Sequence, residues 1–119
     1  MTEIITSILA SVKRYLGIVE SDCEFDPEIL MHINAALANL TQLGVGPEEG
    51  FIVYDNTANW EDFLPDRIQD IPHARLYTFC KVKVGFDSSN LSTTTIDSFN
   101  KLADECQYRL HVPREAKLV

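Results

Sequence analysis

The run from Phe25 to Pro47, FDPEILMHINAALANLTQLGVGP, leaves little choice about its local fold. Asp26 is placed to accept hydrogen bonds from first-turn amides, Pro27 suits the first helical position, and Glu28 complements the positive end of the helix dipole. Phe25 and Leu30 have the spacing of an apolar staple across the helix start. Ile29, Ile33, Leu37 and Leu40 follow at three- and four-residue steps, widened by Ala36 and Leu43, so one face must be buried. Gly44 is free to take the left-handed conformation that closes a helix, and Gly46-Pro47 prevents a restart. A stripe of this kind needs other apolar stripes to cover it.

The rest of the chain supplies them. A first helix is predicted from about Glu3 to Leu16, with Ile5, Ile8, Leu9, Val12, Tyr15 and Leu16 on one side and Lys13 and Arg14 near its negative end. Gly17 caps it and Ile18 folds back onto its last turn. The short polar link VESDCE makes the first two helices antiparallel neighbours. Pro72 opens a third, central helix through Leu76, Cys80 and Val84, broadened by Phe79, Val82 and Phe86. A fourth starts within the Ser/Thr-rich run 88–95 and carries Ile96, Phe99, Ala103, Cys106 and Leu110 as a seam. Pro113 ends it, leaving residues 112–119 as an extended C-terminal tail. Between the second and third helices, Phe51-Ile52-Val53-Tyr54 reads as a short strand or hairpin that turns at Asp55-Asn56. The expected fold is therefore all-α: a single four-helix bundle-like domain over residues 1–119, with a small β element between the second and third main helices. Its core is expected to draw on Ile33, Leu37, Leu40, Leu76, Phe79, Cys80, Val82, Phe99, Ala103 and Cys106.

The charge and the reactive residues narrow the function. A net charge of −8 opposes wrapping of nucleic acid, because affinity for a polyanion comes mainly from Lys and Arg. The cysteines Cys23, Cys80 and Cys106 are odd in number and lack C-x-x-C spacing, which speaks against a disulfide framework or a zinc knuckle. No apolar run is long enough to span a bilayer, and the N-terminus lacks the pattern of a secretory signal, so the chain is expected to be soluble and unsecreted. His32, His73 and His111 stand in separate segments without metal-ligand neighbours, and His32 lies on the polar side of its helix. Asp55, Thr57 and Asn59 resemble the start of a calcium loop, but Trp60 occupies the position that needs glycine. No nucleophile elbow, phosphate-binding glycine loop or dinucleotide fingerprint occurs. The expectation is no enzyme, no cofactor, no metal and no small-molecule substrate.

Taken together, the FDPEI helix start, the QLGVGP exit, the following GF with a short strand, the W-x-D-F at Trp60–Phe63 and the later helix ending GFD resemble the small head-tail connectors of tailed bacteriophages and prophages. The likeness spans nearly the whole chain, from ILASVKRYLGI to YRLHVPRE. Connectors usually follow the FD with prolines, whereas Asp87 here precedes Ser88-Ser89. The resemblance implies a head-completion or DNA-packaging adaptor, made in the host bacterial cytoplasm, that forms a ring of its own copies beneath the portal protein at the virion head-tail junction. Such a ring encloses DNA without binding it specifically and receives a head-closure or tail component. An acidic wall suits that passage, although acidity also serves plain solubility.

Candidate contacts with a neighbour lie where the helical core makes no demand. Phe51, Tyr54, Trp60 and Phe63 either cover a core edge or meet another subunit. Arg75, Lys81 and Lys83 make the third helix the most basic part of an acidic chain, as a patch for acidic neighbours or as an ordinary solvated face. In the tail, Arg114, Leu118 and Val119 offer charged and apolar anchors or a frayed end. The alternative function is a small helical packaging-regulatory or nucleic-acid-binding protein, such as a terminase small subunit.

Overall fold

The computed structural model describes residues 6–118, with side chains described for 6–111. Five α-helices follow in order: α1 Ile8–Tyr15, α2 Asp26–Gln42, α3 Trp60–Phe63, α4 Ile71–Asp87 and α5 Thr93–Leu118. The four long helices are the expected ones, and the one-turn α3 is added between the second and third of them. Short 3-10 turns at Ile68–Asp70 and Ser88–Asn90 lead into α4 and α5.

The centre of the domain is α4. It packs most extensively on α5, then on α2, and is also touched by α1 and α3. Its buried residues Ala74, Tyr77, Thr78, Cys80 and Val82 therefore fall on several sides of the helix, as expected for a helix enclosed by neighbours and not laid on a surface. Around it the core takes Ile8 and Val12 from α1, Ile33, Leu37 and Leu40 from α2, Trp60 and Phe63 from α3, and Ala103, Cys106 and Leu110 from α5. Leu76, Phe79 and Phe99, also expected in the core, are partly buried against it.

Two helix ends follow directly from glycine. At Gly17, with φ +80°, the Ile18 amide donates to Lys13 O at 2.9 Å and the Gly17 amide to Arg14 O at 3.1 Å. At Gly44, with φ +83°, the Val45 amide donates to Leu40 O and the Gly44 amide to Thr41 O, both at 2.9 Å. These paired bonds satisfy the orphan carbonyls of α1 and α2, and residues with side chains adopt the left-handed turn only at a cost.

The helix starts differ more from expectation. The backbone of Ser7 precedes α1, and its Oγ accepts from the Ala10 amide at 3.2 Å. The expected first turn at Glu3–Ile5 lies outside the described residues. In α2 the capping position is Phe25, whose carbonyl accepts from Ile29 N at 2.9 Å, and Asp26 is the first helical residue. Asp26 is drawn away from capping by Lys13, and the Phe25 ring meets Phe86 edge-on with centroids 5.6 Å apart. For α5, Ser92 Oγ accepts from Thr95 N at 3.2 Å and fixes the start at Thr93.

Two expectations are corrected. No strand or sheet forms among the described residues: Phe51–Tyr54 has no main-chain partner, and one isolated bridge joins Ser7 to Asn59. The segment is held by a side chain instead, as described below. At the other end, α5 runs through Pro113 to Leu118 and does not give way to an extended tail. Proline removes one helix hydrogen bond, but its fixed φ near −65° is itself helical, so it weakens a helix without forcing an extended chain.

Gly46 serves two purposes. Its φ is +89°, and a Cβ built there would stand 2.4 Å from the Phe63 ring, whereas one at Gly17 would meet nothing within 4 Å. Gly17→Ala is therefore expected to cost about 1 kcal/mol from backbone strain alone, and Gly46→Ala about 3 kcal/mol from strain plus overpacking. Urea unfolding followed by Trp60 fluorescence measures both; equal losses would show that the Gly46–Phe63 contact does not constrain the fold.

Candidate functional site

The reactive side chains are dispersed and mostly committed to packing. The His32 ring lies against Gly85 of α4, where a Cβ would sit 2.6 Å from its Nδ1, so this histidine is a half-buried packing residue and not a solvated one. His111 Nδ1 is 3.3 Å from Leu43 O, joining α5 to the end of α2. Asp55 Oδ1 accepts from the Thr57 amide at 2.9 Å and from the Thr57 hydroxyl, and those bonds hold its carboxyl below the ordinary value. No group of three His, Cys, Asp or Glu side chains among the described residues is arranged to hold a metal. Burial pushes the Cys80 thiol up to about 11 and raises Cys106 as well, each with a lesser charge effect from its neighbours. Thiols held protonated in this way behave as small apolar groups.

The interface candidates separate into distinct environments. Trp60 and Phe63 are buried, which removes them from any surface. The reason is local: Asp62 accepts from the Asn59 amide at 2.9 Å, winding a single turn that points both rings inward. Trp60 Nε1 then donates to Ser11 Oγ at 2.9 Å, and Ser11 Oγ donates to Ile8 O at 3.0 Å. Phe51 is half-buried and stacks edge-on against Phe63, while Tyr54 is 80% exposed.

The three basic residues of α4 do not form one patch. At about 100° per residue they point in three directions, and each has a partner within the chain. Arg75 donates to the Tyr15 hydroxyl at 2.7 Å, Lys81 lies 5.9 Å from the centre of the Tyr77 ring, and Lys83 pairs with Asp87 at 2.8 Å. Arg114 and Leu118 stand on the last turns of α5, but their side chains, like all of Val119, lie outside the described residues.

Three polar residues that the sequence reading passed over or misplaced organise the loops. Lys13, expected near the negative end of the first helix, is only 2% exposed; its Nζ donates to Glu20 O at 2.8 Å and lies 2.9 Å from Asp26 Oδ1. Leu9, Lys13 and Leu16 share a helix face, and a cation inside an apolar stripe is a signal that a partner must be found for it. Asn34 interrupts the Leu30–Leu37 face of α2 in the same way. Its side-chain amide takes both main-chain groups of Val53, accepting from N–H at 2.8 Å and donating to C=O at 3.0 Å. Arg67 donates to Asp70 and to Leu110 O, both at 2.7 Å, tying the turn before α4 to α5.

What remains is a compact helical scaffold with an exposed irregular segment and a cleft of about 570 Å³ beside it, walled by Gly46, Pro47, Glu49, Asp62, Phe63, Leu64, Pro65, Asp66 and Arg67. Its charged groups are three carboxylates and one guanidinium, and no Ser, Thr, Cys or His stands in its wall. A family profile described as Phage connector protein matches residues 8–117, from the first residue of α1 almost to the end of α5. The chain belongs to the phage connector family. No curated protein and no solved structure matches it. The connector is thus a structural protein of the bacteriophage head-tail junction type, and its family match runs through all five helices and both glycine-closed helix ends. Among its described residues, no helix is long and apolar enough to cross a membrane.

The buried ion pair gives a direct test of how the connector holds its first two helices together. Asp26→Asn leaves the Lys13 ammonium with the Glu20 carbonyl alone, an expected loss of about 2 kcal/mol given that Asp26 keeps some contact with water. Adding Lys13→Met should restore part of that loss. A double variant whose destabilisation equals the sum of the two singles in urea melts would show that the pair is not coupled.

Proposed function

We propose that this connector assembles as a ring of its own copies under the portal protein, extends the DNA channel after packaging, and receives the next head-closure or tail component. The carrying observation is a family match over residues 8–117, which spans the helical scaffold and not an isolated motif. The role is one of assembly without catalysis, at the head-tail junction of the virion. A net charge of −8 supports it, because carboxylates near a channel repel phosphates and let DNA pass without sticking. Docking contacts on this reading come from the exposed segment around Phe51 and Tyr54, and from the C-terminal residues Arg114, Leu118 and Val119.

Size-exclusion chromatography with light scattering, with and without portal, tests the proposal. Co-elution with portal at several connector copies per portal ring is the expected result. A connector that stays monomeric with its portal at high concentration would argue against it. The same preparation should give little or no salt-sensitive mobility shift with short duplex DNA; a strong shift would favour a nucleic-acid-binding packaging regulator instead.

A further inference from the structure

The segment between α2 and α3 has the chemistry of a strand with one edge filled. Gly50, with φ +94°, turns the chain into it, and Asp55 closes it by accepting from Thr57. Within it, burial alternates: Val53 is 1% exposed, while Ile52 and Tyr54 are 53% and 80% exposed. The N–H and C=O of Val53 both point to one side, since the single Asn34 amide engages them together. That disposition belongs to an extended residue, and the amide imitates the partner that Val53 would meet in an antiparallel ladder. In an extended chain the neighbours' main-chain groups point the opposite way. Among the described residues, neither Ile52 nor Tyr54 has a main-chain hydrogen bond.

We infer that the Ile52–Tyr54 edge is a docking site for an extended strand from a neighbouring protein, one with small or apolar side chains at alternate positions and basic residues at its flanks. Free amide and carbonyl groups on residues two apart match the main-chain spacing of a strand, and helix backbones have no groups free to meet them. The flanks follow from charge: Glu48 and Glu49 before the edge and Asp55 after it are exposed and take part in no ion pair among the described residues. Those same acids disfavour a second copy as the occupant. Antiparallel pairing of this segment with itself brings Glu48 and Glu49 of one copy toward Asp55 of the other, a like-charge arrangement that protects exposed edges from self-pairing. Identifying the neighbour as another component of the phage particle rests on the connector reading; the edge itself does not.

The probe is a short synthetic peptide alternating threonine and valine between terminal lysines, titrated into the isotope-labelled full chain and followed by amide NMR. The Ile52 and Tyr54 amides should shift, and their hydrogen exchange should slow by about tenfold or more at saturation. A peptide N-methylated along one edge should not bind, and a glutamate-flanked version should bind about tenfold more weakly. Ile52→Pro removes one open-edge donor and should abolish binding; the N-methylated peptide decides the matter if that variant does not fold. Shifts confined to helical surfaces, or equal binding of the N-methylated peptide, would overturn the assignment. Protection of the two amides by concentration alone, without peptide, would also overturn it by naming a second copy as the occupant. No portal enters this experiment, so its failure leaves ring assembly standing, and failure of ring assembly leaves the edge standing.

Discussion

Enclosure of α4 by its neighbours is the constraint on which the rest of this structure depends. A helix with Ala74, Tyr77, Thr78, Cys80 and Val82 all buried cannot be exposed on any broad face without losing apolar burial of about 1.5–3 kcal/mol for each large side chain. The positions of α5 and α2 follow from that need. Gly85 lets the His32 ring come close to α4, and the edge-on pairs Tyr15–Phe79 and Phe79–Phe99 link α1, α4 and α5 through one ring. These contacts tie three helices into one packed core.

The connections between the helices are held by polar side chains reaching from helix faces. Lys13 fastens the link between α1 and α2, Asn34 the segment after α2, and Arg67 the turn before α4. Each is a polar group in or near an apolar surface, where leaving it unpaired costs more than the bond itself contributes. The loops are thereby fixed without a sheet. That solution has a consequence for function: a segment held along one edge by a single side chain keeps its other edge available.

Much of this was legible in the residues because helix ends and apolar stripes are local. Gly17 and Gly44 announce their closures, and the three- and four-residue steps of α2 and α5 place Ile33, Leu37, Leu40, Ala103 and Cys106 in the core. The extended character of Phe51–Tyr54 was legible too, but its partner was not, since nothing near Val53 marks a side chain nineteen residues earlier as its ladder. Trp60 and Phe63, set among acids, read first as a core edge and second as a contact with a neighbour; the Asn59–Asp62 spacing is the sign that they turn inward, and both are buried. Pro113 misled for a different reason, because a residue that weakens a helix is not one that must end it. The basic residues of α4 form a patch in one dimension only, and their angular spread and intramolecular partners dissolve it.

The central claim is that this scaffold works as one subunit of a larger symmetric body. Family membership supplies the setting, and a packed helical core with a net charge of −8 supplies a physical basis for it. Imaging of purified portal incubated with the full chain, by electron cryomicroscopy, addresses the claim most directly. The expected result is a closed ring of connector subunits on the portal's axis, with a continuous channel through both. Portal particles without added density on that axis, or with connector bound at scattered sites off it, would contradict the claim.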